Sequence, residues 1–395
     1  MVRLSNYKSA IVILVLLLCG CAKQIPLPAQ TDAHQKYEQG DFEEALAALD
    51  KQPVRNKDRL LYLLDKGTFL HAAGKYEESN KVFEEAAHFA EYWRSKSAGQ
   101  EIAAAFTNER VLTYAGATYE RLLIQVFQML NYALLGQSEE ALVEVRQYHN
   151  DLARFFGSQI PKEYQDAFAY DLASILWNLN GHTDDARIDF QKASKTNSNA
   201  SKIDTEGNVV VILESGKAPI LEGEKTWIAD IKIELPKIRE RESQTDHAQI
   251  VVDYATKATT TTLNNITTMA KADLEHKLEV AKTHKFFKTA LKEWVEAKTF
   301  YTLNKTDLPL GAKLAEEIFV TAAVSMLFNS LEAADTRIWS TLPNTFQLAR
   351  FSLPEGEHEL KIWRIDSQGN KIGKPISKKI IVQKNRPTFA VFRIF

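Results

Sequence analysis

The fold is decided by the stretch Tyr37-Glu38-Gln39-Gly40-Asp41-Phe42-Glu43-Glu44-Ala45-Leu46, which has a second copy at Ala73-Gly74-Lys75-Tyr76-Glu77-Glu78-Ser79. In both copies a glycine is followed by one residue, an aromatic side chain, two acids and a small residue. The glycine is expected to end a helix, because glycine tolerates the left-handed backbone of a helix C-terminus. The small residue lets two helices cross closely. Each copy therefore predicts the turn of a helical hairpin, with turn and packing residues Gly40, Phe42, Ala45, Gly74 and Tyr76.

The spacing of these turns is typical of a repeat protein. Gly40 and Gly74 stand 34 residues apart, which is the period of the tetratricopeptide (TPR) repeat. Weaker copies follow at Gly136 with Ala141 and at Gly181 with Ala186. A hairpin of this kind buries its apolar face only by stacking on its neighbours. Residues 34–196 are therefore predicted to form a TPR-like helical array, irregular because the later turns do not keep the period.

The start of the chain is typical of an exported lipoprotein. Arg3 and Lys8 precede an apolar run that ends at Leu18, and this run is shorter than the ~20 residues of a membrane-spanning helix. Cys21 then ends a lipobox-like stretch and is the predicted lipidation site. An uncleaved anchor or a buried apolar segment is the alternative. We expect residues 1–20 to be a signal peptide and residues 21–33 a tether.

The residue after Cys21, the positions of the cysteines and the net charge limit the expected location and the kinds of site that the chain can carry. Ala22 follows Cys21; an aspartate there favours inner-membrane retention, so the expected location is the outer membrane, facing the periplasm. Both cysteines of the chain lie at positions 19 and 21, which leaves no disulfide or thiolate metal site for the body. The net charge of −2 argues against general nucleic-acid binding. We expect the chain to contact the membrane only through the lipid on Cys21.

The periodicity changes after a polar stretch at residues 195–208. Residues 205–343 are expected to mix strands with helices: the apolar run 209–213 and the alternating residues 227–235 each predict a strand, and helices are predicted from residue 274 and over 311–334. Residues 344–395 predict a small antiparallel β domain, whose opening at residues 353–358 looks like a PEGA-type surface domain. The expected fold class is α+β, a helical array followed by a mixed region and a small β unit.

Three residues stand out in the second half because helix packing does not require them. Asp335, Arg337 and Trp339 follow the predicted helix 311–334. An aspartate can pair with an arginine two residues later, and a tryptophan can anchor a neighbouring element. They form a candidate interface or structural motif. The simpler interpretation is that they pin the preceding helix onto the C-terminal sheet.

Taken together, the chain resembles a family of uncharacterised bacterial lipoproteins that carry TPR repeats. The likeness rests on residues 40–46, 114–120, 130–146 and 332–343. Some members of that family are encoded beside lipoproteins related to the curli secretion channel. The resemblance implies an exported protein of an envelope assembly, with other envelope proteins or lipoproteins as partners.

No stretch of the sequence predicts catalysis. The nucleophile elbow, the phosphate-binding glycine loop and the His-Glu-x-x-His motif are all absent. His276 and His284 are too far apart on one predicted helix to share a zinc ion alone. We therefore expect no catalytic residues, no metal and no cofactor, and a scaffold for protein–protein interaction. The alternatives are a docking regulator of a cell-wall enzyme, and an enzyme that itself acts on peptidoglycan or glycans.

Overall fold

The computed structural model describes residues 31–97, 113–228, 231–279, 334–384 and 386–395. The signal peptide, Cys21, residues 311–333 of the predicted helix 311–334, and His284 lie outside these residues. No helix among the described residues is long and apolar enough to cross a membrane.

Eight helices form four consecutive hairpins. They are α1 (Asp32–Gln39) with α2 (Phe42–Asp50), α3 (Arg59–Ala72) with α4 (Tyr76–Ser97), α5 (Thr118–Leu135) with α6 (Ser138–Phe156), and α7 (Ala167–Leu179) with α8 (Thr183–Thr196). A further helix, α9, covers residues 266–279 of the described chain. The hairpins occupy the region in which the sequence predicts a TPR-like array.

The strands form two four-stranded sheets and one hairpin. They are β1 (Val209–Ser215), β2 (Ile220–Ile228), β3 (Ile231–Arg239), β4 (His247–Val252), β5 (Ala255–Thr259), β6 (Thr261–Thr262), β7 (Thr345–Phe351), β8 (Gly356–Ile365), β9 (Lys371–Val382) and β10 (Thr388–Ile394). The central sheet has the order β10-β1-β7-β6, and the outer sheet has the order β5-β4-β8-β9. Strands β2 and β3 pair with each other.

Strand β1 is buried on both faces, which places the central sheet between two layers. Val209, Val211 and Leu213 pack against the outer sheet, whereas Val210 and Ile212 belong to the hydrophobic cluster of the helices. The order of layers is therefore helical array, central sheet, outer sheet. The prediction of a buried strand at residues 209–213 is confirmed by its full burial.

The predicted boundary at residue 344 does not coincide with a break in the sheets. Strand β1 pairs with β7 in antiparallel and with β10 in parallel orientation, and β4 pairs with β8. The C-terminal strands thus complete two sheets that the preceding region begins. A purely antiparallel terminal unit is not what forms, because parallel β10 needs β1 as its neighbour.

The prediction of one strand over residues 227–235 is wrong. Strand β2 ends at Ile228 and β3 begins at Ile231, so the stretch spans the tip of a hairpin. Pro236 pairs with Gly223 inside the β2–β3 ladder and does not end the strand. This is possible because a proline, which lacks an N–H group, is tolerated on a strand whose second edge is not paired.

The helices and the central sheet share one core. The cluster that contains α3 to α8 also contains Trp339, Leu342 and Phe346. Phe346 of β7 stacks on Phe168 of α7 with ring centroids 4.7 Å apart. That residues 34–196 fold alone stays a prediction, and this shared core is the surface that such a fragment would expose.

A close crossing between α3 and α4 makes Gly67 sensitive to substitution. A Cβ atom at Gly67 would lie 2.6 Å from the ring of Phe83, which is itself fully buried. We expect Gly67→Ala to lower the free energy of unfolding by about 1–2 kcal/mol, because overpacking exceeds the gain in helix propensity. Urea unfolding measures this, and the double variant Gly67→Ala/Phe83→Leu should recover much of the loss.

Gly74 is the matched control for this experiment. Its φ is +76° and its Cβ would meet nothing within 4 Å, so its constraint is the backbone alone. Gly74→Asn should cost less than Gly74→Ala, because asparagine tolerates the left-handed conformation better. If Phe83→Leu relieved Gly74→Ala as well, steric overlap at Gly67 would not be the cause.

Candidate functional site

The inner face of the helical array, formed by the first helices of the hairpins, is occupied by the chain itself. Residues 334–344, which we call the inserted segment, contain neither helix nor strand. The Trp339 indole N–H donates to Thr68 Oγ1 of α3 at 3.0 Å. The Thr341 hydroxyl donates to Asp65 Oδ1 of α3 at 2.8 Å. Because Trp339 is completely buried, this part of the face is not available to a partner's peptide.

Glu120 holds the inserted segment against α5. Its Oε1 accepts the backbone N–H of Trp339 at 2.6 Å, and its Oε2 accepts the backbone N–H of Ala117 at 2.9 Å and the hydroxyl of Tyr114. Burial raises the pKa of Glu120 to about 7, although these three donors act to lower it. One carboxylate thus joins the start of α5 to the inserted segment.

Asp335 and Arg337 form a two-pronged ion pair within the inserted segment. Arg337 Nε lies 2.9 Å from Asp335 Oδ1, and Nη2 lies 2.9 Å from Oδ2. Arg337 also donates to the carbonyl of Lys57 at 3.2 Å and lies over the ring of Tyr114. Burial would raise the pKa of Asp335, but hydrogen bonds from Arg337 hold it below its usual value.

These contacts change the interpretation of the Asp335, Arg337 and Trp339 motif. The simpler interpretation from the sequence is that these residues contact the C-terminal sheet. In the structure they contact the helical array, because the inserted segment crosses its inner face before β7 begins. The motif is a structural one that joins the two halves of the chain.

The predicted turn residues occupy the hairpin turns. Gly40, Gly74, Gly136 and Gly181 have φ values of 89°, 76°, 73° and 78°. Ala45, Ala141 and Ala186 are buried in the second helices. The ring of Phe42 lies 5.6 Å from Tyr37, and that of Tyr76 lies 5.5 Å from His71. Apart from Phe42, Gly74 and Tyr76, which also line a cleft, these residues serve the packing of the hairpins.

A buried polar network joins the helices to β1. His71 Nε2 lies 2.9 Å from Glu214 Oε1, and both side chains are only 1% exposed. His71 Nδ1 faces Asn131 Oδ1. Asn131 Nδ2 donates to Ser79 Oγ at 3.0 Å and to Asn80 Oδ1 at 2.8 Å, which leaves the Asn131 oxygen to accept a hydrogen bond from the His71 ring.

Two clefts open at the surface of the described chain near these elements. One, of about 310 Å³, lies between the α3–α4 turn, β9 and β10, with Gly74, Lys378 and Val391 in its lining. The other, of about 510 Å³, is lined by His149, Tyr170, Lys192 and Lys195 among others. In the second cleft His149 and Lys192 are both paired with Asp189, at 2.8 and 2.9 Å.

Within the described ranges no group of three or more His, Cys, Asp or Glu side chains is placed to hold a metal ion. His149 Nε2 lies 2.8 Å from Asp189 Oδ2. The indole N–H of Trp177 donates to the same oxygen at 3.0 Å. Such a closed hydrogen-bonded pair is typical of structural packing between helices.

Asp171 of α7 is a buried acid whose charge the fold only partly compensates. Burial raises its pKa to about 7, while Arg350 of β7 lowers it. The folded pKa of Asp171 exceeds its unfolded value, so the fold favours the protonated carboxyl. The stability that this preference contributes is fully present below about pH 4 and is lost as pH rises through about 7. We expect Asp171→Asn to stabilise the protein by roughly 2 kcal/mol at pH 8 and to have little effect at pH 4.

Urea unfolding at the two pH values measures this difference. Asp184→Asn is the control, because Asp184 is exposed, with a side chain 91% accessible. A gain from Asp171→Asn that is equal at pH 4 and pH 8 would contradict the assigned titration.

The comparisons with known proteins find little. No family model matches the chain, and no curated protein matches it. A solved structure described as "MamA MSR-1 C2" is 9% identical, with a TM-score of 0.20, over 42% of this chain and 94% of that chain. Another, "Crystal structure of MamA", is 15% identical, with a TM-score of 0.20, over 43% of this chain and 97% of that chain. A likeness this low carries no argument, so the assignment of helical repeats rests on the hairpins and their turns.

Proposed function

We propose that this chain is a non-catalytic scaffold for protein–protein interaction, held by a lipid on Cys21 at the periplasmic face of the outer membrane. Its partners in this proposal are components of an envelope assembly or secretion-related complex. The location and the lipid are supported by the lipobox-like stretch, and the binding role by the stacked helical hairpins. A stack of hairpins presents extended surfaces that suit protein partners.

The observation that carries the proposal is the exposure of apolar side chains on successive second helices. Tyr92 of α4 is 52% exposed, Val143 of α6 is 58% exposed and Ile188 of α8 is 44% exposed. The inserted segment covers the inner face at α3 and α5, so we assign the partner to the outer face. Large apolar side chains exposed on three successive second helices favour a docking role for these helices.

Photo-crosslinking in intact cells tests the proposal. A photoreactive phenylalanine analogue replaces Val143 in one variant and Ile188 in a second. The control variant carries the analogue at Tyr254, which is 98% exposed in the turn between β4 and β5. We expect both second-helix positions to give the same protein adduct, and the control position to lack it.

Two further arms separate the alternatives. Palmitate labelling of the wild type and of Cys21→Ser tests the anchor, and equal labelling of the two would remove the lipid from the proposal. An adduct with a cell-wall enzyme would favour the docking regulator. Release of soluble fragments from purified cell wall by the full chain, with no adduct from either helix, would replace the scaffold with an enzyme.

A further inference from the structure

Strand β10 forms one edge of the central sheet, and its alternate residues turn their backbone groups outward. The Thr388 N–H donates to Asn208 O at 2.8 Å, and Ile394 O accepts the Gly216 N–H at 2.9 Å. In this parallel ladder the even-numbered residues of β10 therefore bond to β1. The N–H and C=O groups of Val391 and Arg393 consequently point away from β1, and of these the Val391 carbonyl already accepts a hydrogen bond from the Lys378 ammonium group.

The cleft of about 310 Å³ lies along this open edge. Its lining includes Val391, Phe392 and Arg393 of β10. Ala73, Gly74 and Tyr76 of the α3–α4 turn form one wall, and Ile376 and Lys378 of β9 form the other. The central sheet is the middle layer, so its edge opens between the helical layer and the outer sheet. We call this cleft the slot; it borders the outward backbone groups of Val391 and Arg393.

The two sheets differ in how their edges are protected. Strand β9, an edge of the outer sheet, carries Pro375 and Lys371, Lys374, Lys378 and Lys379, features that discourage pairing with another strand. Strand β10 reads Thr-Phe-Ala-Val-Phe-Arg-Ile, with no proline and a single charge. An apolar edge of this kind recruits strands unless something covers it.

The positive charge of Lys378, beside the slot, indicates which side chain an incoming strand should carry. The Lys378 ammonium group donates to Val391 O at 3.3 Å, from the side opposite β1. Burial lowers the pKa of Lys378, and no carboxylate of the described residues pairs with it. Arg393, in contrast, already donates to the carbonyl oxygens of Glu214, Gly216 and Ile394 and to the Tyr37 hydroxyl. The lining also includes Glu214, whose carboxylate lies 2.9 Å from His71 Nε2, so Lys378 is the charged group there that an incoming carboxylate would meet.

We propose that this slot binds an extended segment of a partner protein as an added strand beside Val391 and Arg393, with an acidic side chain against Lys378. Main-chain hydrogen bonds to the edge supply affinity, and the contact with Lys378 supplies preference. The inference rests on the proposed scaffold role and names one class of partner for it. It involves a different surface from the outer face of α4, α6 and α8.

Peptide binding to the purified chain, residues 22–395, tests the proposal. The probe is an acetylated and amidated heptapeptide of alternating threonine and valine with a central glutamate. The control probe carries lysine at the centre. Fluorescence anisotropy is expected to show the glutamate peptide binding at least tenfold more tightly, and Lys378→Glu should reverse this order. On binding, the amide protons of Val391 and Arg393 should gain protection from hydrogen exchange.

Val391→Pro removes one outward N–H group, and proline is tolerated at an edge position. It should abolish binding while leaving the thermal unfolding midpoint close to that of the wild type. Equal affinity for the two peptides overturns the proposal, as does binding that Lys378→Glu leaves unchanged. A concentration-dependent dimer that Val391→Pro abolishes also overturns it, because the edge would then belong to a second copy. If peptide binding fails while Val143 and Ile188 crosslink, the strand slot is wrong and the scaffold stands.

Discussion

Replacing Trp339 with alanine is expected to lower the free energy of unfolding by about 3–5 kcal/mol. The indole is completely buried, with its ring centroid 5.8 Å from that of Phe83 and 5.6 Å from that of Phe127. Truncation therefore opens a cavity where α4, α5 and the inserted segment meet. It also leaves the buried Thr68 hydroxyl without its indole donor.

Two controls separate these causes. Trp363 lies on β8 and is only half-buried, so Trp363→Ala should cost about 1–2 kcal/mol by area lost from contact. Thr68→Val removes the hydrogen bond and keeps the volume, and should cost about 1 kcal/mol. Urea unfolding followed by far-ultraviolet circular dichroism measures all three variants. Equal losses for Trp339→Ala and Trp363→Ala would contradict the central position assigned to Trp339.

The helical half could be predicted from local sequence because its signals are local. A glycine in the left-handed conformation, an aromatic residue beside it and a small residue one turn later occur within six positions of one another, as at Gly40 to Ala45. The buried strand β1 was equally readable from its unbroken apolar run. The prediction of one strand in place of the hairpin β2–β3 is wrong because alternation continues from β2 into β3, and residues 229–230 lack the Asn-Gly or Asp-Gly pair that marks a tight hairpin turn.

The candidate sites could not be predicted, because topology creates them. The pairing of β10 with β1 joins residues about 180 positions apart, and no local pattern marks that pairing. Trp339 was singled out correctly as unusual, yet its partners Thr68 and Glu120 lie in a different half of the chain. One signal was available for Glu214: an acid that directly follows five apolar residues of a buried strand needs a buried partner.

That partner is His71, and we expect His71→Leu to destabilise the protein by about 3–5 kcal/mol, because it leaves the Glu214 carboxylate buried and unpaired. Glu214 is completely buried in β1. Arg393, its register partner on the adjacent strand β10, donates to the backbone carbonyl of Glu214 and not to its carboxylate. The loss of His71 would also leave Asn131 Oδ1 without its ring donor.

The double variant His71→Leu/Glu214→Leu is the decisive comparison. If the pair serves mainly to align β1 with α3 and α5, apolar replacement of both members should restore most of the lost stability, since burying two polar side chains has its own desolvation cost. His88→Leu is the control, because the His88 side chain is 82% exposed and its loss should change the free energy of unfolding by less than about 0.5 kcal/mol. Urea unfolding of the three variants measures their free energies of unfolding. A double variant as unstable as His71→Leu alone would show that the histidine acts through Asn131 and the packing of α5, with Glu214 contributing little.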